Sequence, residues 1–560
     1  MNKHKELLLA WCEYLINNQT ENGGFRCEAC DILHGRADNA VFPLLYEYNE
    51  TGDKRFLDAA GKVMNFRKLL SKDDGSVQND FESPWRGITA FSAVNLFKSL
   101  FYFEKIIPED LKSEIEKAFV SSAKWVHENI VVGFHSYINY YAASSAVNAM
   151  YGIRYGDGEY LESARELLKY CLSHFTENGF LSGEGQPHDA LTEKGCVCTD
   201  IGYEVEESLP CLVDAAEILN DEKALMFLTE KMRKLLKFML PDGAWDNSFG
   251  SRNYKWTYYG SRTSDGCLSA LVRLGKYDDI FFDAAERNFE LLYKCTVGGR
   301  LFGGMDYDKC GVRPCVHHTF CHAVSLADAL LTGFPDVKKT EPPIRKTGTE
   351  VKYFPETDTY KVFCGKWIAT FSGYDYFTSN AKNGAAHSSG GALSMLYHEE
   401  KGTVIAGSVY EYKLTEPNNM QRIPDNIRHS CLIPRAEYER DGELYTSCLD
   451  GKAEIKADAS GDTVTVETCS GFVSPNGFKT ADEDLFLTAK YVFDGDNIKI
   501  SVCTSVKKEG IKFILPIISD SVNIKTEAPN AREKIFFLPG GFSADEYTFS
   551  LDEKITVTLG

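Results

Sequence analysis

The sequence predicts an α+β protein of two domains, an N-terminal (α/α)6-type helical toroid followed by a C-terminal antiparallel β-sandwich. Two patterns support this fold class. A glycine-containing turn recurs through the first half between segments with helical spacing, and the second half consists of short alternating segments rich in Val, Ile, Thr, Tyr and Phe. A chain of 560 residues is also too long for one hydrophobic core. We expect the toroid over residues 1–340 and the β-sandwich over residues 350–560.

The turns that define the repeat have the form Asn/Asp-Gly or Gly-Gly followed by apolar residues. They recur at intervals of roughly 46 to 64 residues, the length of two helices with their loops. The clear members are Gly23-Gly24-Phe25, Gly75-Ser76-Val77, Gly179-Phe180-Leu181, Gly243-Ala244-Trp245 and Gly299-Arg300-Leu301, and Val132-Gly133-Phe134 is a weaker sixth. Six such turns predict six helical hairpins.

Between the turns, apolar residues follow the spacing of amphipathic helices, as in residues 111–130 and 224–240. Segments 38–48 and 53–70 form one predicted helix pair, and segments 140–155 and 160–174 form another. Pairs of inner and outer helices that alternate in this way close into a ring, which is the predicted toroid.

A polar linker that contains Pro342-Pro343 separates the helical pattern from the strand pattern. After the linker, Asp-Gly and Ser-Gly turns divide short segments of alternating apolar and polar residues, which is typical of antiparallel strands. We expect strands at residues 361–371, 393–397, 463–468, 497–504 and 554–559.

The composition excludes several classes of partner. The chain carries 61 Lys and Arg against 81 Asp and Glu, a formal net charge of −20, whereas proteins that bind nucleic acid or anionic membranes concentrate basic residues. No segment approaches the roughly 18 uninterrupted apolar residues of a membrane helix. We therefore predict neither nucleic acid nor a membrane as partner, and an acidic ligand would need a local basic pocket. The oligomeric state is left open.

The 17 cysteines are an odd number without the spacing of a metal finger. This pattern favours a reduced, cytoplasmic protein, with a periplasmic or secreted location as the alternative if a signal segment has been removed. Cys27/Cys30 and Cys196/Cys198 are spaced like pairs of metal ligands, but no second pair of matched spacing completes a four-ligand site. Zinc at these pairs is therefore disfavoured.

Four stretches rich in polar and aromatic residues interrupt the helical pattern. If each of them adjoins an inner helix, they converge at one end of the ring and build a cleft. The stretches are Asn79-Asp-Phe-Glu-Ser-Pro-Trp-Arg86, His135-Ser-Tyr-Ile-Asn139-Tyr-Tyr141, Gly183-Glu-Gly-Gln-Pro-His188 with the following residues 200–208, and residues 245–262.

The fourth stretch concentrates Arg252, Lys255 and Arg262 among tryptophans and tyrosines, in a chain that is otherwise strongly acidic. Basic side chains bind carboxylate or sulfate groups, and flat rings such as Trp256 stack on sugar faces. The alternative is a solvated helix start with aromatic residues in the core. On the first interpretation, the ligand is an acidic oligo- or polysaccharide.

Several short motifs follow one another along most of the chain. They are Asn139 near a helix start, Gly183-Glu184-Gly185, Tyr203 before Glu206-Glu207-Ser208-Leu209, and Ala385-Ala386-His387-Ser-Ser-Gly-Gly-Ala-Leu-Ser-Met-Leu-Tyr397. Their order resembles that of the heparinase II/III-like polysaccharide lyases. The resemblance implies a carbon–oxygen lyase that cleaves uronic-acid-containing, glycosaminoglycan-like polysaccharides by β-elimination.

The resemblance also implies catalytic roles. Asn139 would neutralise the uronic-acid carboxylate, Tyr203 would transfer a proton, and His387 from the β-domain would complete the site, with His188 as a competing base in the toroid. These residue types suit the chemistry, because the C5 proton becomes acidic only when hydrogen bonds neutralise the adjacent carboxylate. The alternatives are a helix cap for Asn139, a buried helix-start tyrosine and a strand-end histidine. The expected substrate-binding residues are Trp85, Arg86, Tyr140, Glu184, Asn247, Arg252, Trp256, Arg262 and His318.

The β-domain departs from the family at its metal site. His429 matches one metal ligand, but Ser389 and Ala406 stand where further ligands are expected. With Glu411, Glu416 or Cys431 as a substitute ligand, the site would suit Zn or Mn. No cofactor is predicted to be required.

Two other functions stay open on the sequence. A glycoside hydrolase on the same ring would use two carboxylates as acid and base, chosen from Glu184, Asp200, Glu206, Asp242 and Asp246. A non-catalytic glycan-binding protein would keep the cleft without turnover.

Overall fold

The computed structural model describes residues 2–134, 136–185, 190–335, 348–376, 387–416, 418–425, 429–476 and 478–560. Helices make up the first part of the chain and antiparallel sheets the second, so the predicted fold class is confirmed. The last helix ends at Thr332 and the first strand of the β-domain begins at Glu350. No helix in the described ranges is both long enough and apolar enough to span a membrane.

The helices alternate between an inner and an outer position. In chain order they are α1 (Lys3–Asn17), α2 (Val41–Thr51), α3 (Lys54–Leu70), α4 (Thr89–Phe103), α5 (Glu109–Asn129), α6 (Ile138–Tyr155), α7 (Gly158–Ser173), α8 (Ile201–Tyr203), α9 (Leu209–Ile218), α10 (Glu222–Leu235), α11 (Leu268–Leu274), α12 (Ile280–Lys294) and α13 (Val316–Thr332). Helices α2, α4, α6, α9, α11 and α13 contact one another in succession, and α13 returns to α2. These six inner helices form a closed ring, and each packs against one outer helix.

The recurring glycines lie in the turns that lead from each outer helix to the next inner one. Gly75 has φ +90°, and a Cβ there would lie within 3.0 Å of the Ser121 carbonyl oxygen on the next outer helix, α5. Gly243 repeats this arrangement, with φ +91° and the Arg287 carbonyl oxygen on α12. The repeat therefore has two causes, a left-handed backbone and a close helix contact that leaves no room for a side chain. Gly133, the weaker sixth member, has φ +98°, and a Cβ there would meet no atom of the described residues within 4 Å.

The described residues of the β-domain form three antiparallel sheets with a shared hydrophobic core. Two short hairpins precede it within the helical domain, formed by β1 (Trp256–Thr257) with β2 (Gly260–Ser261) and by β3 (Thr296–Val297) with β4 (Arg300–Leu301). The first large sheet has the order β5 (Glu350–Phe354), β6 (Thr359–Cys364), β7 (Trp367–Ser372), β8 (Ala392–His398) and β9 (Gly402–Ala406).

The other two sheets complete the β-domain. Their strands are β10 (Arg435–Arg440), β11 (Glu443–Thr446), β12 (Glu454–Ser460), β13 (Thr463–Gly471), β14 (Phe486–Phe493), β15 (Ile498–Thr504), β16 (Lys512–Ile517), β17 (Ile524–Thr526), β18 (Asn530–Phe537), β19 (Phe542–Ser550) and β20 (Ile555–Leu559). One sheet has the order β11-β10-β16-β19-β18 and the other β12-β13-β14-β15-β20-β17. Segment 361–371, expected as one strand, is instead the β6–β7 hairpin, because Gly365 adopts φ +58° in a two-residue turn.

The two domains are joined by buried polar contacts as well as by apolar packing. Lys361 Nζ on β6 lies 2.6 Å from Asp246 Oδ2 of the helical domain, and both side chains are fully buried. Residues 407–416 and 418–425, which follow β9, reach back to the ring, where Asn418 Nδ2 donates to Asp80 Oδ1 at 3.0 Å. We call these two segments the capping loop.

Candidate active site

A cavity of about 510 Å³ lies between the ring and the capping loop. Its wall combines cationic, acidic and aromatic side chains, from the segment before α2 to the start of α13. The lining residues are Arg36, Asn79, Trp85, Ile88, Phe91, Ser136, Tyr137, Asn139, Tyr140, Tyr203, Glu207, Arg252, Lys255, Thr263, His317, Glu416 and Asn419. Asn139 and Tyr203, expected to act together, therefore share one cavity.

Asn139 is the second residue of α6 and is 2% exposed. Its backbone N–H donates to Glu184 Oε1 at 3.0 Å, and its Nδ2 donates to Glu207 Oε2 at 3.1 Å. Its Oδ1 has no hydrogen-bond partner among the described residues. Tyr137, not Asn139, occupies the N-cap position of α6, so the helix-cap interpretation of Asn139 is wrong.

Glu207 connects Asn139 to a buried arginine. Arg36 Nη1 donates to Glu207 Oε1 at 3.0 Å, and Arg36 Nη2 pairs with Asp265. Burial raises the pKa of Glu207 above its usual value; Arg36 lowers it by less, and the nearby Asp265 carboxylate raises it further. A Glu207 that keeps its proton can donate a hydrogen bond to an anionic ligand.

Tyr203 lies at the end of α8 and is held by its neighbours. Its hydroxyl donates to the Arg262 carbonyl oxygen at 3.1 Å and lies 2.8 Å from Thr263 Oγ1. Thr263 has φ +64°, a left-handed conformation that β-branched residues avoid. This strained residue also presents its carbonyl oxygen to Arg36 Nη1 at 3.2 Å, so one unusual backbone position orients two cavity side chains.

Arg252 packs directly on the face of Tyr203. Its guanidinium carbon lies 3.7 Å from the centre of the Tyr203 ring, and its Nη1 lies 3.3 Å from Glu184 Oε2. Burial raises the pKa of Tyr203 well above its usual value, and Arg252 lowers it by less. The Tyr203 phenol therefore holds its proton at neutral pH. Burial also raises the pKa of Glu184 to about 7, against the opposing effect of Arg252.

Lys255 and Glu416 form an ion pair between the ring and the capping loop. Burial lowers the pKa of Lys255 to about 8, although Glu416 raises it. Burial raises the pKa of Glu416, but Lys255 and Arg252 lower it more, to about 2. At neutral pH, Glu416 is therefore ionised and Lys255 is mostly charged.

An aromatic pair forms part of the cavity wall. Trp85 is 39% exposed, and its Nε1 donates to the Tyr140 hydroxyl at 3.0 Å. The ring centres of Trp85 and Tyr140 lie 5.4 Å apart, with the rings nearly perpendicular. An exposed indole fixed in this way offers a flat surface to a sugar ring.

The structure places three of the expected substrate-binding residues in the interior. Asn247 Nδ2 donates to Asp200 at 3.0 Å, the Trp256 indole donates to a backbone carbonyl oxygen at 3.0 Å, and His318 Nδ1 lies 3.0 Å from the Tyr259 hydroxyl. All three are at most 1% exposed, and none is among the described residues that line the cavity. Their expected contact with substrate is corrected to a structural role, and so is that of Glu184, which is 0% exposed and likewise not among the described lining residues.

Arg86 and Arg262 also differ from expectation. Arg86 lies on the surface, where it pairs with Asp74 at 2.6 Å. Arg262 points away from the cavity and donates to Gln421 Oε1 at 2.8 Å. The reason is that residues 252–262 fold back through the β1–β2 hairpin, so Arg252 and Lys255 face the cavity and Arg262 does not.

Of the two expected partner histidines of Tyr203, the structure describes only His387. His387 is 2% exposed, with its Nε2 3.1 Å from the Tyr374 carbonyl oxygen, and it is not a lining residue in the described part of the chain. Burial lowers the pKa of His387 to about 4. His188 lies outside the described residues, as do His135, Ala385 and Ala386.

His429 does not have the surroundings of a metal ligand. It lines a separate cavity with Glu411 and Cys431, but the described residues place no group of three ligand atoms around it. Burial lowers the pKa of His429 to about 3. The described residues around His429 therefore do not assemble the ligands of a Zn or Mn centre, and a β-domain metal stays a prediction.

The carboxylates proposed for a hydrolase have other partners. Glu206 accepts from the Ser261 N–H at 2.7 Å, Asp200 accepts from the Tyr203 N–H at 3.1 Å, and Asp246 pairs with Lys361. Within the described ranges, Glu184, Asp200, Glu206, Asp242 and Asp246 are all absent from the cavity lining. The carboxylates that do line it are Glu207 and Glu416.

Sequence reasoning did not assign several functional residues to the site. Arg36 stands in Gly35-Arg36-Ala37-Asp38, where a charged residue among small ones was the available signal. In the sequence, Glu207 stands out only as part of the motif after Tyr203, and Glu416 only as a substitute metal ligand. Glu416 could not be placed because its contact with Lys255 spans the two domains.

Solved structures of polysaccharide lyases resemble this chain in fold. A heparinase III has a TM-score of 0.54 at 13% identity, covering 94% of this chain and 76% of that one. A chondroitin AC lyase of Streptomyces coelicolor has a TM-score of 0.54 at 9% identity, covering 100% of this chain and 79% of that one. At these identities the likeness is one of fold, so the expected heparinase II/III-like family is corrected to a structural resemblance, and glycosaminoglycan degradation is not supported.

Sequence comparison gives the family. The model of the ulvan lyase N-terminal domain matches residues 8–346, and that of the ulvan lyase C-terminal domain matches residues 351–535. A broad-specificity ulvan lyase of Formosa agariphila is 33% identical over 556 residues, which covers 96% of this chain and 86% of that protein. The chain belongs to the ulvan lyase family, and it is a polysaccharide lyase.

Proposed function

We propose that the protein cleaves ulvan, a sulfated polysaccharide that contains uronic acid, by β-elimination at the cavity beneath the capping loop. The observation that carries this proposal is the shared wall of Asn139, Tyr203, Arg252 and Lys255. It combines a neutral donor, a proton-transfer group and two cations. The F. agariphila relative is described by its name as acting on ulvan.

In this mechanism, Asn139 and Glu207 bind the uronate carboxylate. Removing the C5 proton builds negative charge next to that carboxylate, so donors that neutralise it lower the barrier. The Asn139 Nδ2 now directed at Glu207 Oε2 would turn to the substrate, and the raised pKa of Glu207 keeps a second proton available.

Tyr203 transfers a proton, and its surroundings favour donation to the departing 4-oxygen. The C5 proton passes to a ring nitrogen of His317, which lines the same cavity and has neither nitrogen hydrogen-bonded among the described residues. A buried phenol with a raised pKa holds its proton, and a hydroxyl that already donates to the Arg262 carbonyl oxygen disfavours phenolate. Thr263 Oγ1 can then donate to the phenolate that remains after transfer.

Arg252 and Lys255 supply positive charge for sulfate or carboxylate groups of neighbouring sugars. Both are paired with glutamates in the structure, so an anionic ligand binds by sharing or displacing those carboxylates. Trp85 provides the stacking surface beside them.

Incubation with a panel of polysaccharides tests the proposal. With ulvan, we expect ultraviolet absorbance to rise as new reducing ends form, because β-elimination leaves a C4–C5 double bond conjugated to the carboxylate. Heparin and chondroitin sulfate should give neither signal. Reducing ends without absorbance would indicate hydrolysis, and absorbance with heparin or chondroitin sulfate but not ulvan would overturn the substrate assignment.

A further inference from the structure

Three cysteines and one histidine converge in the core of the ring, apart from the lining of the active-site cavity. Cys27, Cys30 and His34 come from the turn that precedes α2, and Cys315 is the N-cap residue of α13. All four are at most 2% exposed. The polysaccharide lyase activity makes no use of these thiols.

The distances within this cluster match those around a tetrahedral metal ion. The Cys27 and Cys315 sulfurs lie 3.7 Å apart; two thiolates bound to one zinc ion at 2.3 Å lie about 3.8 Å apart. Cys30 Sγ lies 3.2 Å from His34 Nε2, and the ligand atoms of Cys27, Cys30 and His34 are all within 4.8 Å of one another.

The backbone of residues 27–34 is shaped to present these ligands. The Cys27 N–H donates to the Ile32 carbonyl oxygen at 2.8 Å, and the Asp31 N–H donates to the Cys27 carbonyl oxygen at 2.8 Å. Asp31 takes up the left-handed conformation that the tight turn needs, with φ +61°. The turn brings Cys27 and Cys30 together at the two-residue spacing of zinc-binding pairs.

A buried arginine points to an anionic cluster at this place. Arg262 is 3% exposed, and its Nε and Nη2 have no hydrogen-bond partner among the described residues. Burial lowers the pKa of Arg262, and the neighbouring sulfurs of Cys315, Cys30 and Cys27 raise it by more. Three thiolates and one Zn²⁺ carry a net charge of −1, which a single guanidinium neutralises.

We propose that Cys27, Cys30, His34 and Cys315 form a structural zinc site that ties the beginning of the ring to its last inner helix. All four coordination positions are filled by protein ligands, so the ion is structural and takes no part in the elimination. A search of the sequence for a second matched pair of cysteines does not reveal this site, because the remaining ligands are His34 and a cysteine from the other end of the domain.

The site also positions parts of the active-site wall. His34 is followed two residues later by Arg36, and Cys315 two residues later by His317, both of which line the cavity. The Ala29 carbonyl oxygen accepts from the Arg422 N–H of the capping loop at 3.1 Å. Zinc would therefore hold the ring closure, the cavity wall and the capping loop in one arrangement.

Metal analysis of the full-length protein tests the site. Protein produced in zinc-supplemented medium and dialysed against a mild chelator should retain about one zinc per chain. The double variant Cys30→Ser/Cys315→Ser should retain less than about 0.2. The matched control Cys171→Ser/Cys267→Ser replaces two buried cysteines outside the cluster and should keep the wild-type content.

Two further measurements keep the proposal falsifiable if the double variant does not fold. Wild-type protein loaded with Co²⁺ should show the thiolate-to-cobalt charge-transfer absorbance of a tetrahedral cysteine site, and stripping the metal should lower the Tm. Wild-type protein that binds neither zinc nor cobalt, a Cys27–Cys315 disulfide found by mass spectrometry, or zinc retained by a folded double variant would each overturn the site. None of these readouts depends on the polysaccharide that the enzyme cleaves.

Discussion

Tyr203 is subject to two opposing influences, and their balance sets the role proposed for it. Burial raises its pKa, whereas the Arg252 guanidinium 3.7 Å from its ring centre lowers it. Burial has the larger effect, so the resting residue is a neutral phenol held by Thr263. A base role would need the opposite balance.

The Tyr203→Phe variant should lose roughly 10²–10⁴-fold in kcat with little change in KM, because it removes the proton-transfer group and keeps the ring. Initial rates of absorbance increase on ulvan measure both constants. Tyr259→Phe is the matched control, since its hydroxyl lies against His318 in the interior. A Tyr203→Phe variant with near-normal kcat would contradict the assignment.

The charged groups of the cavity also predict a pH dependence of binding. Lys255, with its pKa lowered to about 8, loses its positive charge as pH rises through that value. Glu207, with a raised pKa, gains a negative charge as pH rises. Both changes oppose an anionic substrate, so KM should increase roughly tenfold between about pH 7 and about pH 9.

The Glu207→Gln variant separates the two contributions to this pH dependence. Its side chain cannot ionise, so its KM should rise less over the same pH range than that of the wild-type enzyme. Steady-state kinetics on ulvan at constant ionic strength provide the comparison. A wild-type KM that is unchanged across this range would show that these groups do not contact the substrate.

At the scale of the elements, the glycine turns were predictable because their cause is local and repeated. Each needs a left-handed residue between an outer and an inner helix, and most also need space for the next outer helix. The β1–β2 hairpin was not predictable, since its two strands of two residues are too short for a period-2 pattern. That hairpin decides that Arg252 faces the cavity and Arg262 does not.

The Gly75→Ala variant should be less stable than Gly133→Ala. Both place a side chain at positive φ, but only at Gly75 would the Cβ collide with a carbonyl oxygen of the next helix. We expect a loss of about 3 kcal/mol at Gly75 and about 1 kcal/mol at Gly133. Thermal unfolding followed by circular dichroism measures the difference in stability. Equal Tm values of the two variants would show that the close helix contact at Gly75 does not contribute to the loss of stability.

At the scale of the whole molecule, the candidate active-site cavity exists because the β-domain closes one end of the ring. The capping loop contributes Glu416 and Asn419 to the cavity, and Gln421 holds Arg262 away from it. The fully buried ion pair of Lys361 with Asp246 holds the two domains together. Separating the domains would break this pair and leave an uncompensated buried charge. The domains therefore form one catalytic unit.

The sequence by itself determined the ring of helical hairpins, the β-domain after it and the acidic character of the chain, which follow from periodicity and composition. That Asn139 and Tyr203 act together is what the resemblance to the heparinase II/III-like lyases implies, and it stays a prediction. Only the tertiary structure decided that Arg36, Glu207 and Glu416 join them, that Trp256 and His318 are interior, and that His34 and Cys315 meet Cys27 and Cys30. The physical reason is that helical spacing is a local property, whereas the partner of a buried charge or thiol depends on segments far apart in the chain.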